Sequence, residues 1–129
     1  MLNFVVTDYW WQKFESGEKN IEYRRKTQYW DKRVENAIIE EYGKYASYHL
    51  DKLTEPVSKE NNWLACRFSD MTPLPANVRH GYSSEKRERK IYAIIIKNGK
   101  DTDLATDDWV YCFCFEKEKH DENTNNQRQ

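Results

Sequence analysis

The stretch "RKIYAIIIK" at residues 89–97 constrains the fold more than any other part of the sequence. Its middle is apolar at consecutive positions, so both faces of a strand formed here have to be covered, which is typical of a central strand. Four other stretches have strand-like patterns: "LNFVV", "KNIEYR", "WLACRF" and "WVYCFCF". The sequence therefore predicts about five strands.

Two segments have the periodicity of helices. Asp8 is expected to cap a first helix with an apolar stripe of aromatic residues, and Gly17 to end it. A longer amphipathic helix is predicted from about Arg33 to Leu53, because apolar and aromatic residues recur there every three or four positions. His49 lies on that stripe, and we interpret it as a packed core histidine rather than a ligand.

No regular alternation of strands and helices runs along the chain, which argues against a doubly wound sheet. The segment "SDMTPLPANVRHGYSS" contains Pro73 and Pro75, so we predict an ordered loop there rather than a strand. The fold class expected is α+β: a mixed, mostly antiparallel β-barrel of about five strands, with two or more helices at its rim. The length of 129 residues suits one domain, residues 1–116, followed by a disordered polar tail at 117–129.

The cysteines Cys66, Cys112 and Cys114 show neither a disulfide framework nor the second ligand pair that zinc sites normally have. Reduced, partly buried thiols are favoured over a metal bound by the C-x-C pair with His80 or His120. We therefore predict no metal and no cofactor. No apolar run approaches ~18 residues, and the N-terminus lacks the basic segment of a signal peptide. We expect a cytoplasmic monomer without membrane contact.

Charge is unevenly distributed although the formal net charge is only −1. Residues 19–33 contain six Lys and Arg against two acids, and residues 79–90 contain five against two. Residues 101–108 contain four acids and no base. This pattern is compatible with a cationic face on a neutral chain. Ordinary solvated loops are the alternative interpretation.

The phrase "FESGEKNIEYRRKTQYWDKRV" at residues 14–34 resembles the signature of the ASCH domain, a branch of the PUA-like superfamily. A second element, "RHGYS" at 79–83, is similar to the strand and Gly-Tyr step of one ASCH subgroup, and "IYAIIIKNG" to the strand that follows. The resemblance covers residues 1–116. The positions that carry the first phrase are Phe14, Gly17, Lys19, Ile21, Glu22, Arg24, Tyr29, Trp30, Lys32, Arg33 and Val34.

This resemblance implies a PUA-like β-barrel with a cleft between barrel and helix, and an association with RNA or modified nucleosides. Some relatives are similar to amidohydrolases that remove the acyl group of N4-acetylcytidine with a lysine, a threonine and a glutamate. Lys19 stands at the position of that lysine. Asn20 stands at the first threonine of the motif and Glu22 at the threonine two places further on, and the sequence offers no clear match to the catalytic glutamate.

The residues themselves also indicate a binding site. Lys19 follows a helix-ending glycine, from where it can point into a cleft, and Asn20, Glu22 and Arg24 share the polar face of one predicted strand. A carboxylate between cations could accept hydrogen bonds from the Watson–Crick edge of a base. A structural ion pair of Glu22 with Arg24 or Lys19 is the alternative.

Further candidates are basic and aromatic residues next to one another. The predicted phosphate-binding cations are Arg24, Arg25, Lys26, Lys32 and Arg33. Tyr29 and Trp30 offer rings for stacking an unpaired base, although packing in the core is the favoured interpretation of Trp30. Tyr82 is the favoured stacking residue, since Gly81 lets the backbone approach a ligand and Arg79 and Ser83 lie beside it.

The leading hypothesis is a module that binds RNA, single-stranded nucleic acid or a modified nucleoside or nucleotide in a basic, aromatic-lined cleft. The alternative is a small hydrolase, either an N-acyl-nucleoside amidohydrolase or a ribonuclease, in which Lys19 and Glu22 are the catalytic residues. A third possibility is a protein-interaction factor of a phage or mobile element. The sequence leaves open whether the protein is an enzyme.

Overall fold

The computed structural model describes residues 1–54, 63–68 and 72–117. The helices are α1 (Asp8–Glu15), α2 (Gln28–Tyr42) and α3 (Ala46–Thr54), and short 3₁₀ turns lie at Gly43–Tyr45 and Gly99–Asp101. The strands are β1 (Leu2–Val6), β2 (Ile21–Arg25), β3 (Trp63–Arg67), β4 (Leu74–His80), β5 (Lys86–Asn98) and β6 (Trp109–Phe115). Apart from its first residue, the predicted tail at 117–129 lies outside the described residues.

The long strand β5 is the centre of one curled sheet, as its apolar sequence predicts. It pairs antiparallel with β6 along one side, and with β4 and then β3 along the other. β2 pairs antiparallel with β6, whereas β1 pairs parallel with β4. The strand order β1-β4-β5-β6-β2 leaves β1 and β2 as edge strands on either side of the opening of a barrel-like sheet, while β3 lies off this order and pairs with β5. The mixed, mostly antiparallel α+β fold is thus confirmed, and the described residues form six strands instead of about five.

The core lies inside the curled sheet, and the helices cover its rim. Phe4 of β1 packs against Phe113 of β6, with 4.8 Å between ring centroids. Phe14 of α1 and Ile38 of α2 are also buried in this cluster. Burying these apolar side chains provides the main driving force for folding, and it sets the helices against the sheet.

The predicted loop around the two prolines is wrong, because residues 74–80 form β4. Its ladder with β1 begins at Ala76, one residue after Pro75. The proline therefore lies before that ladder, near the start of the strand, where its missing N–H is tolerated. Buried Ala76 and Val78 then alternate with half-buried residues, a pattern that the prolines obscured in the sequence.

The single helix predicted from about Arg33 to Leu53 is also wrong. The α2 helix begins earlier, at Gln28, where the Thr27 hydroxyl accepts a 3.3 Å hydrogen bond from the backbone N–H of Trp30. It ends at Gly43, whose φ of 53° lies in the left-handed region that glycine tolerates best. At the first helix Asp8 is the first helical residue rather than the cap.

Both the histidine and the thiols lie in the interior. His49 is buried between aromatic rings, and its Nδ1 lies 3.5 Å from the Sγ of Cys66. The three cysteines are buried, and burial raises the pKa of both Cys66 and Cys112 to about 11. Within residues 1–54, 63–68 and 72–117, no group of three or more His, Cys, Asp or Glu side chains is arranged to hold a metal ion. His120 lies outside these ranges.

None of the helices in the described part of the chain combines the length and the apolar character that crossing a bilayer would require.

Candidate functional site

The open side of the sheet contains a cleft of about 360 Å³ between the edge strands β1 and β2. One wall is the end of β1, the other is β2, and α1 and the loop before β6 close the two ends. The sheet cannot pair across this gap, so side chains of β2 fill part of it. The lining residues are Val5, Val6, Thr7, Trp10, Lys19, Glu22, Tyr23, Arg24, Arg25, Asp103 and Leu104.

Arg24 bridges the gap between the two edges. Its Nη2 donates one hydrogen bond of 3.0 Å to the backbone carbonyl of Val5 and another of 3.0 Å to Oε2 of Glu22. The guanidinium also lies 5.3 Å from the ring centroid of Trp30 and 5.6 Å from that of Phe4. Arg24 therefore supplies a cation, in a fixed position, to the cleft wall.

Glu22 is the most buried residue of β2, with 6% of its surface exposed. Oε2 pairs with Arg24, and Oε1 lies 3.5 Å from Nζ of Lys19 and accepts a 3.2 Å hydrogen bond from the N–H of Tyr23. The alternation in the sequence predicts Ile21 and Tyr23 on one side of a half-buried strand and Glu22 on the polar side, whereas in the structure Glu22 is buried and Ile21 and Tyr23 are half-buried. The two cations offset the cost of removing the carboxylate from water, so the acidic side can face inward.

Lys19 points into the cleft, as predicted from its place after Gly17. Its Nζ lies 2.8 Å from Oδ2 of Asp103 and 3.9 Å above the ring centroid of Trp10. The ring centroid of Tyr23 is 5.5 Å away on another side. The ammonium group is thus held by carboxylates and by aromatic faces together, an arrangement that strengthens as water is excluded.

The acidic segment at 101–108 lies against the basic segment that precedes it by some 80 residues. Besides the Lys19–Asp103 contact, Nη1 of Arg25 lies 3.2 Å from Oδ2 of Asp108. Lys26 pairs with Asp31 at 3.0 Å. These contacts, with the Arg24–Glu22 pair, give each of the four cations from Lys19 to Lys26 a carboxylate partner. The strongly cationic face expected from the sequence is therefore largely neutralised at β2.

A tight packing contact holds the loop that carries Asp103. A Cβ added to Gly99 would lie 2.6 Å from Cγ2 of Thr106, so the loop can lie this close only because the residue is glycine. Asn98 ties the far end of the loop by donating a 2.7 Å hydrogen bond to the carbonyl of Asp107. The loop that carries Asp103 is therefore held in place, and Asp103 contacts Lys19 from a fixed position.

A second hollow of about 430 Å³ adjoins the cleft on the side of α1. Its lining residues are Tyr9, Trp10, Lys13, Glu18, Lys19, Asn20, Ile21, Tyr23 and Asp103. Trp10, Lys19, Tyr23 and Asp103 line both spaces. Burial, followed by the influence of Cys112, raises the pKa of Tyr23, so its phenol remains a hydrogen-bond donor well above neutral pH.

The remaining predicted site residues lie outside the cleft. On α2, Tyr29 is exposed, and the guanidinium of Arg33 lies 4.1 Å above its ring. Lys32, on the same helix, is also exposed. Trp30 stacks on Phe4 at 5.5 Å as part of the core margin. Their role in binding stays a prediction.

The second predicted segment, residues 79–83, lies beside the cleft without lining it. The N–H of Gly81 donates a 2.8 Å hydrogen bond to the carbonyl of Val6, which places the segment at the end of β1. Arg79 is a half-buried β4 residue, and Ser83 binds the carbonyl of His80 at 2.6 Å. The side chain of Tyr82 is 98% exposed, and the cleft wall does not include it. Its stacking role also stays a prediction.

Sequence reasoning missed four kinds of lining residue. Trp10 belongs to the apolar stripe predicted for the first helix, Val5 and Thr7 carry no recognisable signal, and Leu104 is an isolated apolar residue in a polar loop. Asp103 could have been found, because a segment with four acids and no base is the natural partner of a basic segment elsewhere in the chain.

The arrangement offers acceptors at Glu22 and Asp103, donors at Lys19 and Arg24, and the ring of Trp10 in one wall. Polar groups of both kinds beside aromatic surface suit a flat, polar heterocycle. Comparison of the chain with protein-family models, with curated proteins and with solved structures gives no match.

Proposed function

We propose that the cleft between β1 and β2 binds a nucleobase, either in a free or modified nucleoside or in an unpaired nucleotide of RNA or other single-stranded nucleic acid. The observation that carries the proposal is the buried carboxylate of Glu22, held between Lys19 and Arg24 beside the ring of Trp10. The cleft, at about 360 Å³, has the size of small-molecule sites. The resemblance to ASCH domains points to the same class of ligand.

Glu22 supports base recognition in particular. A carboxylate held in place by two cations presents oxygen lone pairs that accept N–H groups from a base edge. Aromatic rings in the same wall add stacking worth ~1–3 kcal/mol per base. A site built from such groups selects against ligands that cannot pair with them, because its polar atoms would be left unsatisfied.

The ion pairs at β2 favour the base over the phosphate as the recognised group. Lys19, Arg24 and Arg25 each have a carboxylate partner, so a phosphate has to compete for them. Phosphate contacts normally dominate nonspecific affinity for nucleic acids. We therefore infer recognition of an unpaired base rather than of the duplex backbone.

The test is a fluorescence titration, using the tryptophans as reporters, with the four nucleosides, a set of N-acylated nucleosides and a mixed single-stranded decanucleotide. Glu22→Gln keeps the shape of the side chain and removes its charge, and we expect a loss of affinity of about tenfold. Glu35→Gln on the exposed surface of α2 is the matched control. Circular dichroism checks that both variants are folded. Absence of saturable binding by every ligand at low salt would overturn the proposal.

A hydrolase is the second candidate, because Nζ of Lys19 lies 3.5 Å from Oε1 of Glu22 inside the cleft. A lysine and a carboxylate at this distance can exchange a proton directly or through water. The reaction would add water across an amide of an acylated base, releasing the carboxylic acid and restoring the exocyclic amine. Turnover of N-acylated nucleosides that persists in Lys19→Ala, with Lys32→Ala as the control, would exclude this role. The protein-interaction hypothesis stays a prediction from the sequence.

A further inference from the structure

The cleft and the second hollow share four lining residues, and two of these form an ion pair. Lys19 and Asp103, 2.8 Å apart, line both spaces, as do the rings of Trp10 and Tyr23. A ligand longer than one nucleoside that leaves the cleft towards α1 has to pass this pair. Whether Asp103 stays paired with Lys19 therefore decides whether one ligand can occupy both spaces.

Lys19 forms ion pairs with Glu22 and Asp103, and these two pairs differ in how easily they can be broken. Glu22 is buried and is also bound to Arg24, so moving it would break a second ion pair. The side chain of Asp103 is 38% exposed and belongs to a surface loop. An anionic group on a ligand can replace Asp103 at Lys19, because the displaced carboxylate is able to turn into water. The space taken by the Asp103 carboxylate can thus accept one anionic group of a ligand.

The second hollow contains an aromatic ring that the core does not use. Tyr9 on α1 is 61% exposed, and it packs edge-to-face against Trp10 with 4.8 Å between centroids. The charged residues at the outer wall, Lys13 and Glu18, are paired with each other at 2.6 Å, so they present no net charge to a ligand. An exposed ring beside a neutral wall suits a stacked base.

We infer that the second hollow is a subsite for the neighbouring base of a single-stranded nucleic acid, with the bridging phosphodiester bound by Lys19 in place of Asp103. The inference rests on the proposed function, since the first base is the one in the cleft. The groove then reads two successive nucleotides: one base meets Glu22, the phosphate meets Lys19, and the next base stacks on Tyr9. Asp103 selects against isolated anions, because only a ligand with bases in both hollows compensates for its displacement.

The experiment compares the four nucleosides with the dinucleoside monophosphates ApA, CpC, GpG and UpU by calorimetric or fluorescence titration. We expect at least one dinucleoside monophosphate to bind about fivefold or more tightly than its nucleoside, the lower end of what one stacked base contributes. Tyr9→Ala should bring this ratio close to one. Tyr48→Ala is the matched control: Tyr48 is a helix residue with 60% exposure, against 61% for Tyr9, and both rings have a lysine above them, but Tyr48 lines neither space.

Asp103→Asn provides a second, independent variant. The amide no longer competes as an anion for Lys19, so the ratio of dinucleoside to nucleoside affinity should rise about threefold, and inorganic phosphate should begin to compete with the dinucleoside. An unchanged ratio in Asp103→Asn together with an unchanged ratio in Tyr9→Ala overturns the subsite. If nucleosides bind and no dinucleoside monophosphate binds more tightly, the subsite is wrong while the proposed function stands. If neither class binds, both fail.

Discussion

The side chain of Arg24 on β2 is hydrogen-bonded to the backbone carbonyl of Val5 on β1 at 3.0 Å. These strands are edge strands on either side of the opening of the sheet, and they do not pair with each other. The guanidinium of Arg24 thus links the two strands in place of a backbone hydrogen bond. Through its bond to Glu22, the same group also forms part of the cleft wall. Stability and ligand binding therefore depend on the same residue.

Arg24→Met should lower the free energy of unfolding by about 2 kcal/mol, because it leaves the buried Glu22 with Lys19 as its remaining cation. The neighbouring Arg25→Met removes only an exposed pair with Asp108 and should change stability by less than about 0.5 kcal/mol. Urea unfolding at pH 7 measures both. Equal losses in the two variants would show that the contacts of Arg24 with Val5 and Glu22 stabilise the fold no more than an exposed ion pair does.

Binding of a single-stranded decanucleotide should depend only weakly on salt. Four free cations would produce a slope of about −2.8 in log K against log salt, at about −0.7 per phosphate contact. Since the four cations from Lys19 to Lys26 hold carboxylates, we expect a slope between about −0.7 and −1.4. Titrations in about 50 to 300 mM KCl measure the slope of log K against log salt concentration.

The corresponding variant is Asp108→Asn, which frees Arg25 and should steepen the slope by about one phosphate contact, or about 0.7. Asp51→Asn on α3 serves as a charge-matched control outside both hollows. A steep slope in the wild-type protein would mean that the ion pairs open on binding and that the phosphate backbone dominates affinity.

Tyr111 anchors the start of α2 to the sheet. Its hydroxyl donates a 2.5 Å hydrogen bond to Oδ1 of Asp31, and burial together with that carboxylate raises the pKa of the phenol. Tyr111→Phe should lower the free energy of unfolding by about 1–2 kcal/mol, since the acceptor is charged and loses a donor. The exposed Tyr45→Phe should have no measurable effect. Chemical denaturation followed by circular dichroism distinguishes the two.

Stability should fall in mild acid because of His49. Burial, and next the charge of Lys52, lowers the pKa of this imidazole in the folded protein, whereas in the unfolded chain its pKa is near the ordinary value of 6.5. The unfolded state therefore binds the proton first, so stability is complete above pH 6.5 and decreases below it until the folded-state pKa is reached. Unfolding midpoints at about pH 7.5 and 5.5 measure the loss.

His49→Gln should reduce this difference between the two midpoints, because glutamine does not titrate. A pH dependence that is identical in His49→Gln and the wild-type protein would assign the acid effect to other groups.

Local patterns in the sequence were sufficient for several elements. The doubly apolar "RKIYAIIIK" required a central strand, and β5 is one. Gly17, with φ of 82°, ends α1 and sets Lys19 at the entrance of the cleft. The presence of Lys19, Glu22 and Arg24 within six residues also placed three charged groups of the site on one short strand and its approach. These features depend on neighbours in sequence, and the chain encodes them directly.

Tertiary structure decided the rest. Whether Glu22 faces water or the interior depends on cations that reach it, and one partner of Lys19, Asp103, lies 84 positions further along the chain. The β4 strand forms despite Pro75, since β1 and β5 supply its pairing partners on either side. The cleft itself exists because β1 and β2 end up as unpaired edges. Local propensity contains no information on such long-range pairing, because its free energy comes from contacts that only the folded sheet brings together.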